Sequence, residues 1–359
     1  MFGKSKNLVG LDIGSSSIKL VELKSGKNGD ELVHFRMLPL PPEAIVDGAI
    51  MNSSAVVDAL NEIVAAEKLK NKNIATSVSG NSVIIKKIRL PQMSMQELEE
   101  SIQWEAEQYI PFDIADVNLD VHILGADEQN VDQMEVILVA AKKDMISDHI
   151  AVLMEAGLVP QVMDVDVFAI GNAYERNFSQ DPAAGAVVLA NIGANVINVN
   201  ILRGFNTSFT RDITIGGNQY TEEIQKQLSV SQEEAEVLKL GGDSGGDSDA
   251  SSTVIPQEVG TIIRSVSESI ATEIQRSLDF YAAGASDDRI SKVYLMGGSS
   301  RVIGLASVVE NKIGISTEIF NPFKEIAIDP KKFNVSHIHD VAPSAAVALG
   351  LALRKFGDK

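Results

Sequence analysis

The chain has 359 residues, 45% of them hydrophobic, and carries 49 acidic against 31 basic side chains, a net charge of -18. That negative balance excludes a general binder of nucleic acid or of anionic membrane, since both need a positive field, and any phosphate must be held by local geometry. The absence of cysteine excludes a disulfide framework and a thiolate metal site.

The length predicts two domains or one large two-lobed body. Met1 to Lys6 is basic, but the apolar run after it is broken at Asp12, so no secretory signal is expected. The longest apolar stretches, such as Ala345 to Leu353, fall short of the roughly 20 residues that span a bilayer. The expectation is a cytoplasmic protein that reaches a membrane only through a protein partner.

Val9 to Glu22 reads as a strand pair, and the polar turn at Ser25 to Asp30 leads into Glu31 to Leu38, which completes a meander. Val56, Leu60, Ile63 and Val64 give Ala55 to Lys68 a helical spacing, and Ile74 to Val78 is a short strand. From Val83 the pattern changes. Val83 to Leu90 is a strand, Ser94-Met95-Gln96-Glu97 is a capping-box signature, and Leu98, Ile102, Ala106 and Tyr109 share one face of the helix it opens. Pro111 stops that helix. Strands at Val117 to Leu124 and Glu135 to Ala141 follow, then a helix at Met145 to Ala156 closed by Gly157; together these predict a compact α+β unit.

The second half repeats the first hairpin. Asp12-Ile13-Gly14 lies on Asn191-Ile192-Gly193 and Ile18 on Ile197 with no gap. A strand follows at Phe205 to Ile215, then helices at Asn218 to Gln227 and Gln232 to Leu240. The Gly- and Ser-rich stretch 241–253 is too polar to pack and is expected to be a mobile loop. A long helix at Pro256 to Ala283, a strand ending at Met296-Gly297-Gly298, and a last helix at Ala342 to Lys355 complete the chain.

Each repeated hairpin ends an apolar strand on a polar residue, then a glycine, then small residues whose N–H groups can turn toward an anion. In the first, Gly14 allows close approach, Ser15, Ser16 and Ser17 supply donors, Lys19 a cation, and Asp12 a ligand for a water-bound magnesium ion. In the second, Gly193, Ala194 and Asn195 form the matching loop, but Asn191 stands where the first has Asp12. A neutral amide binds a metal water less strongly and cannot act as a base, so slow hydrolysis is expected. Gly297, Gly298 and Ser299 make a third candidate site, where a flat base can lie against the backbone ahead of a helix N-terminus. Glu236 and Lys239 share one helical face at a spacing that reaches ribose hydroxyls, or else forms an ordinary surface ion pair.

In this order the pieces resemble the actin-like ATPase superfamily: two phosphate motifs, a connecting segment at Asp164 to Glu175, an adenosine motif at Met296 to Ser300 and a second connecting helix at Ala342 to Leu353. The stretch from Ile88-Arg89-Leu90-Pro91 through Trp104-Glu105-Ala106-Glu107-Gln108-Tyr109-Ile110-Pro111-Phe112 to Val117-Asn118-Leu119-Asp120 is similar to the PilM family of type IV pilus assembly proteins, which is related to FtsA. The resemblance covers essentially the whole chain.

It implies an α/β, two-lobed, ribonuclease H-like fold with an inserted α+β subdomain. The expected division is 1–82, 163–185 and 341–359 as the first lobe core, 83–162 as the insertion, 186–215 and 290–340 as the second lobe core, and 216–289 as its subdomain. By the resemblance Gly14, Ser15, Ser16, Ser17, Lys19, Gly193, Ala194 and Asn195 cradle the phosphates of ATP, and Gly297, Gly298 and Ser299 meet the base. Glu236 and Lys239 hold the ribose, and Asp12 with Asn191 faces magnesium. Asp166 falls where such ATPases often carry the residue that orients the attacking water, or it is a plain helix start.

The implied role is a cytoplasmic ATP-binding scaffold. It would dock the N-terminal tail of the inner-membrane protein PilN in a groove between the inserted subdomain and the first lobe; Ile84, Ile102, Trp104 and Tyr109 lie near it, or else are simple core. It would also link the pilus alignment complex to motor and platform proteins, with self-association open. Two rivals remain. An FtsA-like division filament normally ends in a basic amphipathic helix, whereas Leu353 to Lys359 follow directly on the last helix. A sugar or acetate kinase on this scaffold needs a strong base in an acceptor pocket, and none is visible.

Overall fold

The computed structural model describes residues 7–27, 29–127, 130–179, 185–241, 256–284 and 289–358. The expected loop 241–253 therefore lies outside the described residues, apart from Gly241.

The chain opens with β1 (Val9–Ile13), β2 (Ser17–Gly26), β3 (Gly29–Pro39), the two-residue strands β4 (Ile45–Val46) and β5 (Ala49–Ile50), α1 (Ser53–Ala66) and β6 (Asn73–Val78). Then come β7 (Val83–Pro91), α2 (Met95–Ala106), β8 (Val117–Ala126), β9 (Gln133–Lys142), α3 (Lys143–Glu155), β10 (Val159–Val165) and α4 (Asp166–Asn177). The second half holds β11 (Ala186–Ile192), β12 (Ile197–Arg203), β13 (Asn206–Ile213), α5 (Asn218–Leu228), α6 (Gln232–Lys239), α7 (Gln257–Gly284), β14 (Ile290–Met296), α8 (Leu305–Ile313), β15 (Thr317–Ile319), α9 (Val335–Val341) and α10 (Ala346–Ala352).

Two five-stranded sheets carry the architecture, in the orders β10-β6-β1-β2-β3 and β15-β14-β11-β12-β13. In each, the hairpin is antiparallel and the strands on its other side run parallel to its first strand. The two halves thus share one topology. β1 and β11 are buried along their whole length, as strands covered on both faces must be.

Between the sheets, α4 and α10 pack against each other, and α10 lies on β1. Small residues allow it: a Cβ on Gly350 would stand 1.7 Å from the Ala169 carbonyl oxygen, and one on Gly10 2.0 Å from that of Ala348. The core around this crossing joins Leu8 and Val21 of the first half to Val187, Leu189 and Tyr294 of the second.

The third sheet, β7-β9-β8, is antiparallel and carries α2 on one face. Its separate core includes Ile88, Leu98, Ile102, Val136 and Leu138. The capping box forms as its chemistry requires: Glu97 accepts from the Ser94 N–H at 2.7 Å, and Ser94 Oγ accepts from the Glu97 N–H at 3.3 Å.

Three expectations are corrected. α2 ends at Ala106, so Tyr109 lies in the turn beyond it and is exposed. The last helix is shorter than 342–355: Ala342–Ala345 is a 3-10 turn and α10 ends at Ala352. Pro343 lacks an N–H and lends its carbonyl to Gly297 N–H at 2.8 Å, which favours the tighter turn there. The glycine pair after β14 leads into the short 3-10 turn Gly298–Arg301, and α8 starts only after Gly304.

Candidate functional site

The two repeated hairpins are built alike. Gly14 N–H donates to the Ser17 carbonyl at 3.1 Å and Gly193 N–H to the Val196 carbonyl at 2.9 Å, so both loops close over one glycine. Their registers match as well: Asp12 lies opposite Lys19, and Asn191 opposite Asn198. The chemistry of the pair differs. Lys19 Nζ stands 3.1 Å from Asp12 Oδ2, whereas Asn191 Nδ2 donates to Asn198 Oδ1 at 3.0 Å. One hairpin carries a half-buried ion pair and the other a buried, neutral amide pair.

Around the first loop, Gly14, Ser15 and Ser17 are half-buried and Ser16 is exposed, its carbonyl accepting from Leu40 N–H at 2.9 Å. A Cβ on Gly14 would meet Lys19 Nζ at 2.8 Å, so bare backbone is what fits beside that cation. Around the second, the Gly193 carbonyl accepts from Gly217 N–H at 2.9 Å and from Ser299 Oγ at 3.0 Å. The Ala194 carbonyl accepts from Asn218 N–H at 2.8 Å, and Asn195 Oδ1 from Asn218 Nδ2 at 2.5 Å. Ser299 is buried, and its hydroxyl ties the third glycine motif to the second loop. Gly297 needs its glycine: its φ is +85°, and a Cβ would lie 2.4 Å from the Ile192 carbonyl oxygen. Gly298 beside it is exposed.

Glu236 and Lys239 are not a solvated surface pair. Lys239 is buried, with Nζ 2.7 Å from Glu236 Oε1, 3.1 Å from Thr221 Oγ1 and 3.5 Å from the Gly217 carbonyl. The lysine therefore bridges α6 to the start of α5, which in turn holds the second loop.

Asp166 is the first residue of α4, after the N-cap Val165, whose side chain makes no cap hydrogen bond; the Asp166 carboxylate accepts from Ser77 Oγ at 2.6 Å. Burial, and then the charge of Asp12, push its carboxyl up to about 7 against the pull of hydrogen bonds from Ser77 and Ser79. Neither Ser77 nor Asp212 stands in a motif that marks it as a site residue. Asp212, at the end of β13, accepts from Gly80 N–H at 2.9 Å with one oxygen and from Asn198 Nδ2 at 2.9 Å with the other. It thereby ties the loop after β6 to the second hairpin. Burial raises its pKa as well. Only its position opposite Asn198 across β12 and β13 could have pointed to it, and that register is set by tertiary pairing.

Beside this link lies a cavity of about 210 Å³, lined among others by Ser79, Gly80, Ile84, Lys86, Val167 and Arg211. It runs along β7, where the inserted unit meets both sheets. Ile84 borders it. Ile102 is core, Tyr109 is exposed, and Trp104 is 77% exposed on α2. Among the described residues no three His, Cys, Asp or Glu side chains converge as a metal cage. None of their helices is long and apolar enough to cross a membrane.

Comparison with known proteins places this geometry. A chain from the solved "PilM-PilN type IV pilus biogenesis complex" is 31% identical, with a TM-score of 0.85, covering 98% of this chain and 99% of that one. The ethanolamine utilization protein EutJ from Carboxydothermus hydrogenoformans is 15% identical, with a TM-score of 0.60 over 99% of this chain and 91% of that one, and shares the fold. The fold is the two-lobed actin-like one. The family model described as "Type IV pilus assembly protein PilM" matches residues 10–356, and the chain belongs to that family.

Proposed function

We propose that the chain is an ATP-binding scaffold of type IV pilus assembly. In this reading it takes the cytoplasmic tail of a PilN-type inner-membrane protein in the cavity along β7 and passes nucleotide state to pilus motor and platform proteins. The observation that carries the nucleotide part is the pair of equal glycine hairpins, one on each sheet. The tail rests on a relative of 31% identity in a complex that names PilN.

The residues fit the ligand. Gly14, Ser15, Ser16, Ser17 and Lys19 face phosphates from one side, and Gly193, Ala194 and Asn195 from the other. Gly297 and Gly298 receive the base. Glu236 and Lys239 reach the ribose, Ser299 holds the second loop in place, and Asp12 with Asn191 holds magnesium through water. A magnesium ion would neutralise phosphate charge there. Beyond it, the Asp166 carboxyl, pushed up to about 7, is the candidate proton acceptor, half-buried and hydrogen-bonded to Ser77. With an amide at Asn191 in place of a second carboxylate, turnover is slow. The docked tail would keep the protein at the inner membrane through its partner.

Calorimetry on the full chain, with ATP and then ADP in the presence and absence of magnesium, tests the nucleotide part. Saturable binding is expected, reduced at least about tenfold in Gly14→Val. No uptake of adenine nucleotide by the folded protein would end this reading. Titration of a synthetic PilN-type tail against wild type and Ile84→Asp tests the second part.

A further inference from the structure

The chain contains one tryptophan, and it stands 77% exposed on α2 of the inserted unit. The segment 91–130 around it holds ten carboxylates and no lysine or arginine, in a chain with 31 basic residues. A face that served only solubility would have no use for an indole. Trp is the largest side chain to desolvate and is enriched where partners bury it.

The helix repeat fixes what surrounds it. Glu100 precedes Trp104 by four residues and Glu107 follows by three, so both stand one turn away on the same stripe, and both are exposed. Glu97 extends the stripe toward the N-terminus of α2. An indole face flanked by carboxylates suits a cation: the ring quadrupole attracts the head group, and the acids pair with its N–H donors. Arginine matches best, because its planar guanidinium can stack on the ring and hydrogen-bond at its rim. The same unit uses this contact internally, with Lys142 Nζ 4.6 Å from the centre of the Phe112 ring. The stripe is also distinct from the cavity along β7, since α2 packs over β8 and the cavity is lined by Val83 to Lys86 of β7.

We propose that the Glu97–Glu100–Trp104–Glu107 stripe, along α2 and its C-cap, is a second docking surface, whose occupant is an arginine-bearing basic segment of another protein, with one guanidinium stacked on Trp104. Cytoplasmic segments that flank membrane helices are enriched in such residues. The proposal rests on neither the nucleotide site nor the cavity.

The test uses the full chain and a short fluorescein-labelled peptide of alternating Arg and Ala, read by anisotropy and by the emission of Trp104, the sole indole. Binding should shift that emission and weaken with salt, and a Glu-Ala peptide should not bind. Trp104→Ala, which leaves net charge unchanged, should weaken binding about tenfold or more, and Trp104→Tyr much less. Glu100→Lys with Glu107→Lys should abolish binding, while the control pair Asp58→Lys with Glu62→Lys, exposed on α1, should change it little. Binding unchanged in Trp104→Ala, or an equal loss in the control pair, would reduce the effect to general charge attraction and overturn the proposal. A PilN-type tail that also loses affinity for Trp104→Ala would overturn it too, by making the two surfaces one.

Discussion

Asp166 is a carboxyl raised by burial and by the nearby charge of Asp12. Its folded pKa, about 7, lies above the unfolded carboxylate value. The native state therefore binds more protons than the unfolded chain between about pH 4 and pH 7, and this residue's contribution to stability falls as pH rises through that window. Asp166→Asn should flatten the decline, giving a protein that loses less stability than wild type between about pH 5 and pH 8 in urea titrations. Asp164 and Asp212 are also raised by burial, so the slope should flatten rather than vanish. Lys239 behaves differently. Lys239→Met keeps most of the packing but removes the partner of Glu236 and Thr221, and should cost about 1–3 kcal/mol of stability, with a matching loss of nucleotide affinity by calorimetry. The motif glycines and Asp12 were legible because a strand, a polar residue and a glycine recur in one register. The burial of Lys239 was not, because helical spacing alone gives a surface pair and an inward one the same pattern.

At the scale of elements, the crossing of α4, α10 and β1 has no room for a single methyl group. Gly350→Ala would drive a Cβ into the Ala169 carbonyl, and a backbone neighbour cannot swing aside as a side chain can. A loss of about 3 kcal/mol or more is expected in chemical denaturation. The tie between the two sheets is finer. Asp212 accepts from two donors, Gly80 N–H and Asn198 Nδ2. Asp212→Asn has a single acceptor, so in either amide orientation one bond becomes a donor facing a donor. Hydrogen exchange should show the Gly80 amide losing protection, at about 1–3 kcal/mol of global stability. Helices such as α1 and α2 could be read from their periodicity and caps. The 3-10 turns around Gly298 and Pro343 could not, because a bond between two distant segments, Gly297 N–H to the Pro343 carbonyl, shapes one of them.

For the whole molecule, two five-stranded sheets of one topology pack around α4 and α10, and a third, smaller sheet forms from the residues between β6 and β10. The net charge of -18 sets no attraction for polyphosphate, so nucleotide affinity should depend on local donors and respond more to loss of a loop glycine than to moderate salt. Measuring the dissociation constant from low to physiological ionic strength checks this, and a steep slope would contradict it.

The pairing of α10 with β1 carries a consequence for synthesis. β1 is translated long before its covering helix α10, which follows every strand of both sheets. Leu8 and Val21 must wait uncovered while the strands of the second sheet are made, and the closing contact is one of large sequence separation. Premature termination before Ala346 should therefore yield chains that are held by chaperones or aggregate, however complete their sheets.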